Sequence, residues 1–114
     1  MSVTMSTRQV GDVTVIDAAG RITLGEGSSA FRDTIKDLVT KGDKKILLNL
    51  SEVTYIDSSG IGELVSGFTT TSNAGGNLKL LGLTKRVQDL LQITKLYTVF
   101  EVFDDEAAGL ASFS

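Results

Sequence analysis

The segment Tyr55-Ile56-Asp57-Ser58-Ser59-Gly60-Ile61-Gly62-Glu63 puts an acid and two hydroxyls where an extended run enters an apolar-periodic stretch. A helix begins at such a point, and its first turn presents unpaired N–H groups and the positive end of the dipole. That is a natural seat for an anion. Phosphate fits: a phosphoserine carries about −1.5 to −2 charge at pH 7, and its contact with a helix N-terminus is favourable by roughly 0.3–1 kcal/mol. Asp, Ser and Ser are equally the residues that cap any helix, so capping and anion binding both stand at this point. Gly60 and Gly62 each cost roughly 0.5–1 kcal/mol relative to alanine, a loss that capping leaves unexplained. They either bare a surface for the close approach of another backbone or a nucleotide-bearing loop, or they allow tight packing on a neighbouring strand.

The chain has 114 residues and contains no histidine and no cysteine. That excludes a Ser-His-Asp or Cys-His nucleophile and a zinc site of the His/Cys kind. Phosphoryl transfer needs a base, magnesium and a nucleotide cradle, and no Gly-rich Walker loop is present. The chain can supply the hydroxyl and little else, so it reads as a substrate rather than an enzyme, with no cofactor of its own. A carboxylate hydrolase built on Asp57 and Glu63 is a poor alternative, because six residues across a loop-to-helix junction guarantee no common face.

A formal charge of −3, with basic residues clustered only as Lys44-Lys45 and Lys85-Arg86, argues against nucleic acid. No apolar run approaches the roughly 20 residues that span a bilayer, and the first residues carry no apolar signal-peptide core. A cytoplasmic protein without membrane insertion is expected. With 41% hydrophobic and 22% charged residues, the composition is that of a globular chain, and residues 1–114 are expected to form one domain.

The elements that must position the serines follow from periodicity. Val3 to Gln9 and Val13 to Ala18 read as strands joined at Gly11-Asp12, a hairpin. Gly20 to Gly27 reads as a glycine loop leading to a helix capped by Ser28 or Ser29 and ending near Lys41. Within it Phe31, Ile35, Leu38 and Val39 lie on one face, and Gly42 stops it. Ile46 to Leu50 is a strand apolar on both faces, as in a parallel sheet, and Tyr55-Ile56 extends it.

Ile61, Leu64, Val65 and Phe68 repeat at helical spacing towards Asn73. Leu78 to Leu81 is a strand, Thr84 caps a helix with Val87, Leu90 and Leu91 inward, and Thr98 to Phe103 is a last strand. Asp104-Asp105-Glu106 opens a final helix with apolar Ala107, Ala108, Leu110 and Ala111. Lys85-Arg86 at a helix start opposes the dipole and hints at an anionic neighbour. The order predicts an α/β fold: a single-layer, mixed, mostly parallel sheet with about four helices.

Asp57-Ser58-Ser59-Gly60-Ile61-Gly62, following Ile46 to Leu50 and Tyr55-Ile56, resembles the signature of the STAS-domain family, in particular its bacterial anti-sigma factor antagonists. The likeness runs from the opening hairpin to the last acidic helix. It implies a STAS-like domain that binds an anti-sigma factor which is also a serine kinase supplying ATP and metal. The unphosphorylated form captures that partner and frees the sigma factor; phosphorylation ends the capture, and a phosphatase restores it. By the same resemblance Ser58 is the phosphoacceptor, supported by Asp57, Ser59 and Gly60, in a monomer or weak dimer.

Thr23 and Leu24 in the glycine loop and Ile61, Gly62, Glu63 and Ser66 along the helix are the candidates for partner binding. Many relatives carry an acid in the loop where this chain has Thr23; Glu26 follows three residues later. Related domains also serve as non-phosphorylated regulatory or scaffold subunits of transport ATPases or stress-signalling complexes, which is the alternative function.

Overall fold

The structure is a computed structural model that describes residues 3–23 and 25–113, with Glu26 described by its backbone alone. Among these residues the order is β1 (Val3–Val10), β2 (Val13–Ile22), α1 (Glu26–Thr40), β3 (Lys45–Ile56) and α2 (Ser58–Asn73). It continues with β4 (Asn77–Leu81), α3 (Lys85–Ile93), a 3-10 turn (Leu96–Thr98), β5 (Val102–Phe103) and α4 (Glu106–Ala111). The five strands form one sheet in sequence order, antiparallel between β1 and β2 and parallel from β2 to β5. The expected α/β architecture with one mixed, mostly parallel sheet and four helices is therefore present among the described residues.

Successive crossovers advance in one direction across the sheet, so α1, α2 and α3 share a face. Phe31, Ile35 and Leu38 of α1, Ile61 and Leu64 of α2, and Val87 and Leu91 of α3 all join one core with Ile16, Ile22, Leu48 and Ile56 of the strands. Burying each such side chain is worth about 1.5–3 kcal/mol. Phe68 of α2 meets Phe100 edge-on with ring centroids 5.4 Å apart, tying the helix to the chain that precedes β5.

On the opposite face Val13, Val15, Leu47 and Leu81 form a smaller core covered by Leu110 and Phe113, at and just beyond α4. This second core explains why Ile46, Leu47 and Leu48 are all fully buried, as a strand covered on both faces requires.

β3 is longer than the run Ile46–Leu50, and its pairing with β2 shifts twice. Asp17 pairs with Asn49 but Ala19 with Glu52; Gly20 pairs with Val53 but Arg21 with Tyr55. Each shift inserts one extra residue on β3, and the core side chains accordingly fall at Ile46, Leu48, Leu50, Val53 and Ile56. Each shift absorbs its extra residue as a bulge, so Val53 after the first and Ile56 after the second both still face the core.

Three expectations need correction. α1 begins at Glu26 after Gly25, not at a Ser28 or Ser29 cap, because the Ser28 hydroxyl donates back to the Thr23 carbonyl at 3.0 Å. The run Thr98–Phe103 is largely a turn, since Phe100 is drawn into the core and Val102 and Phe103 alone pair with β4. In α4 it is Gly109 and Leu110 that pack, while Ala107, Ala108 and Ala111 are exposed.

α4 is held at both ends by cations from the sheet. Lys79, itself buried, donates from Nζ to the Ser112 carbonyl at 3.0 Å and lies over the Phe113 ring. Arg8 donates to both carboxylate oxygens of Glu106, at 2.6 and 3.0 Å, and to both of Asp17, at 2.6 and 3.2 Å. Hydrogen bonds from Arg8 hold both carboxyls below the usual carboxylate range, Asn49 assisting at Asp17.

A carboxylate with a depressed folded-state pKa contributes stability above its unfolded pKa and loses it as pH falls through the folded value. These groups are about a third exposed, so solvent screens the effect. In a carboxyl-carbon NMR titration Asp17 and Glu106 should protonate below the ordinary carboxylate range. Arg8→Gln should move both midpoints up into that range and remove the acid-dependent loss of stability that these two carboxyls contribute.

Candidate functional site

The site forms where β2 and β3 end and α2 begins. Asp57 adopts an extended conformation as the N-cap of α2, and its carboxylate accepts from the Gly60 N–H at 2.9 Å. The Asp57 N–H in turn donates to the Ile22 carbonyl at 3.3 Å. Ser58 and Ser59 are thereby fixed as the first two residues of the helix, where backbone N–H groups lack intrahelical acceptors. No acidic residue stands in that first turn.

Ser58 is exposed, and among the described residues its hydroxyl makes no hydrogen bond within the protein. Ser59 is half-buried. An exposed, unengaged hydroxyl at the positive end of a 16-residue helix can act as a nucleophile towards an incoming electrophile, and the helix end tolerates the anion that would result.

The two glycines separate by role. A Cβ at Gly60 would overlap the Ile22 carbonyl oxygen and lie 2.5 Å from Ile56 Cγ1, so this glycine lets α2 seat against the ends of β2 and β3. At Gly62 no atom of the described residues lies within 4 Å of where a Cβ would be. Packing accounts for Gly60 and leaves Gly62 as exposed, bare helix backbone. Gly67 further along admits Phe31 of α1, whose ring would be 3.2 Å from its Cβ.

The partner-binding candidates do not all share one surface. Thr23 is half-buried, its carbonyl engaged by the Ser28 N–H and hydroxyl, and it follows the Ile22 carbonyl against which α2 sits. Leu24 lies outside the described residues. Ile61 is a correction: at 8% exposure it packs into the core and supports the surface from beneath. Gly62 and Ser66 are exposed.

Glu63 is not a free solvated acid, because Arg32 of α1 donates to both its oxygens, at 2.9 and 3.4 Å, and the carboxylate side chain is only 16% exposed. Together Arg32, Ile35, Lys36, Glu63, Ser66, Gly67 and Thr70 line a groove of about 280 Å³ between α1 and α2.

Two further features escaped the sequence reading. Arg32 carries no local signal that it will reach across to Glu63. Tyr55, two residues before Asp57, has the Arg21 guanidinium 5.0 Å and the Arg86 guanidinium 4.4 Å from its ring centroid. Arg21 faces Tyr55 only because of the second register shift in β3, which periodicity does not reveal.

The model of the STAS domain family matches residues 4–109. A Thermotoga neapolitana homologue of the protein TM1081, named for anti-sigma factor antagonism, is 34% identical over 86 residues, covering 75% of this chain and 76% of the relative. The anti-sigma-B factor antagonist of Bacillus subtilis is 26% identical over 110 residues, covering 96% of this chain and 99% of the relative. The crystal structure of Thermotoga maritima TM1081 superposes with a TM-score of 0.89 at 25% identity, covering 96% of this chain and 93% of that one.

The contrast between the glycines is measurable by urea unfolding. Gly60→Ala should destabilise the fold by about 1–3 kcal/mol, the usual cost of forcing a methyl into a packed site. Gly62→Ala should stabilise it by about 0.5–1 kcal/mol, since alanine is the better helix former and nothing opposes its methyl.

Proposed function

The chain belongs to the STAS-domain family, and from that premise we propose that it is an anti-sigma factor antagonist switched by phosphorylation of Ser58. Its unphosphorylated form captures an anti-sigma factor that is also a serine kinase, and so releases the sigma factor. The observation that carries this reading is the Ser58 hydroxyl, exposed and, among the described residues, without a hydrogen-bond partner at the start of α2. Gly62, one turn on, supports it, a helical glycine that no packing among the described residues requires.

In the transfer the Ser58 Oγ attacks the γ-phosphorus of ATP held by the kinase. The new O–P bond forms as the bond to the β-phosphate oxygen breaks, ADP leaves, and the serine proton passes to a base on the kinase. Asp57 acts by fixing the first turn through Gly60, and Ser59 completes the polar start of the helix. The partner approaches over Gly62 and Ser66, with Glu63 steadied by Arg32 and Thr23 at the margin. Placing a dianion in a contact fitted to a neutral hydroxyl costs desolvation and repulsion, and a few kcal/mol weakens affinity by roughly a hundredfold or more. The domain itself need not refold. A protein working in this way acts in the cytoplasm and is returned to its active form by a phosphatase.

Incubation with the cognate kinase and ATP, followed by mass spectrometry, should place phosphate on Ser58. Ser58→Ala should retain capture and accept no phosphate, whereas Ser58→Glu should lose capture. Phosphate elsewhere, together with capture indifferent to Ser58→Glu, would overturn the reading. Gly62→Ala, although more stable, should bind the kinase at least tenfold more weakly, because its methyl occupies the space the partner backbone needs.

A further inference from the structure

Among the described residues, two of the chain's arginines have no counter-charge. Arg8 is paired with Asp17 and Glu106, and Arg32 with Glu63. Arg21 and Arg86 are exposed, and among the described residues neither has a carboxylate within ion-pair distance, although the chain carries an excess of acid. They converge on one ring, Tyr55, from separate elements. Arg21 comes from β2, brought opposite Tyr55 by the second shift of β3, and Arg86 from the first turn of α3. The neighbouring Lys85 is engaged with Asp89 at 3.4 Å, leaving Arg86 as the cation not neutralised at the positive end of that helix.

Stacking on an aromatic face holds a guanidinium in place while its N–H edge stays available for a bidentate acceptor. We propose that the Arg21–Tyr55–Arg86 stack is a docking site for a carboxylate-rich segment of a protein partner. It rests on the reading that this end of the sheet meets a protein, since Tyr55 precedes the Asp57 cap by two residues. Carboxylates at alternate positions of an extended segment project to one side, so such a segment can offer acceptors to both guanidiniums at once. A nucleotide suits it less well, because guanidiniums already stand over the ring on which a base would stack. The acceptors are therefore predicted on the partner, reversing the acidic bias of this chain at one local patch.

The test is an NMR titration of the intact, nitrogen-labelled protein at low salt with a capped hexaglutamate peptide. A glycine-serine hexapeptide and ATP serve as the other two arms. The expected result is saturable shifts at the Arg21 and Arg86 side-chain Nε and at Tyr55 with hexaglutamate alone, and affinity at least tenfold weaker in Arg21→Gln/Arg86→Gln. Both positions are exposed, and an unchanged melting temperature would confirm that the double variant is folded. Equal shifts with the neutral peptide, tighter binding of ATP at the same residues, or undiminished affinity in the double variant would each overturn the proposal. No kinase enters the titration, so it can fail while Ser58 is still phosphorylated, and it can succeed when Ser58 is not.

Discussion

At Gly60 the backbone of α2 lies directly against the carbonyl of Ile22, and the Asp57 N–H donates to that same carbonyl. One oxygen at the end of β2 thus receives the turn that launches the helix, and no side chain larger than hydrogen fits between. The position of Ser58 follows from it: two residues before Gly60, the serine can only stand at the rim, clear of the core that Ile61 and Leu64 enter. The rigid sheet supplies the reference frame, and the helix start supplies the chemistry. A modification at Ser58 can then change what the surface accepts while the packing beneath it stays as it is.

The charges are distributed with the same division. Arg8 and Lys79 are spent on holding α4 over the second core, and Arg32 on tying α1 to α2 through Glu63. These pairs lie along the body of the domain. At the end of the sheet where β3 meets α2, Arg21 and Arg86 remain stacked on Tyr55 with no carboxylate partner among the described residues. A chain of net charge −3 therefore presents, among its described residues, two cations without carboxylate partners at the strand that leads into the serine's helix. Electrostatics of this kind guide approach and orientation more than they add affinity.

What the amino-acid order discloses depends on whether the cause is local. α2 is readable because Asp57 caps it with its own side chain and Ile61 and Leu64 repeat at helical spacing. α3 is readable for the same reasons through Thr84, Val87 and Leu91. The start of α1 is not, because its cap is a glycine with φ of 94° and Ser28 turns its hydroxyl to a carbonyl five residues back. The β-prone run Thr98–Phe103 misleads because a tertiary contact, Phe100 on Phe68, outweighs strand propensity. At the site, Asp57 and Ser58 are legible in local spacing, whereas the distinction between Gly60 and Gly62 comes from the end of β2, which packs against the first alone. The Arg32–Glu63 tie and the Arg21–Tyr55–Arg86 stack are likewise not legible in local spacing, since each joins elements whose relative placement only packing determines.

The two register shifts in β3 also bear on how this chain can change length. Between Leu50 and Ile56 the strand carries two residues more than its partner β2 needs, and each is absorbed at its own shift, so that Val53 opposite Gly20 and Ile56 opposite Ile22 both face the core. A bulge takes in one residue and returns the strand to its pleat, so this strand can change length one residue at a time without turning its core side chains outward. The distance along the chain from the β3 core to the serine is set by how many bulges the strand carries, so a gap of one in an alignment through this strand reads as a bulge gained or lost rather than as a break in the fold.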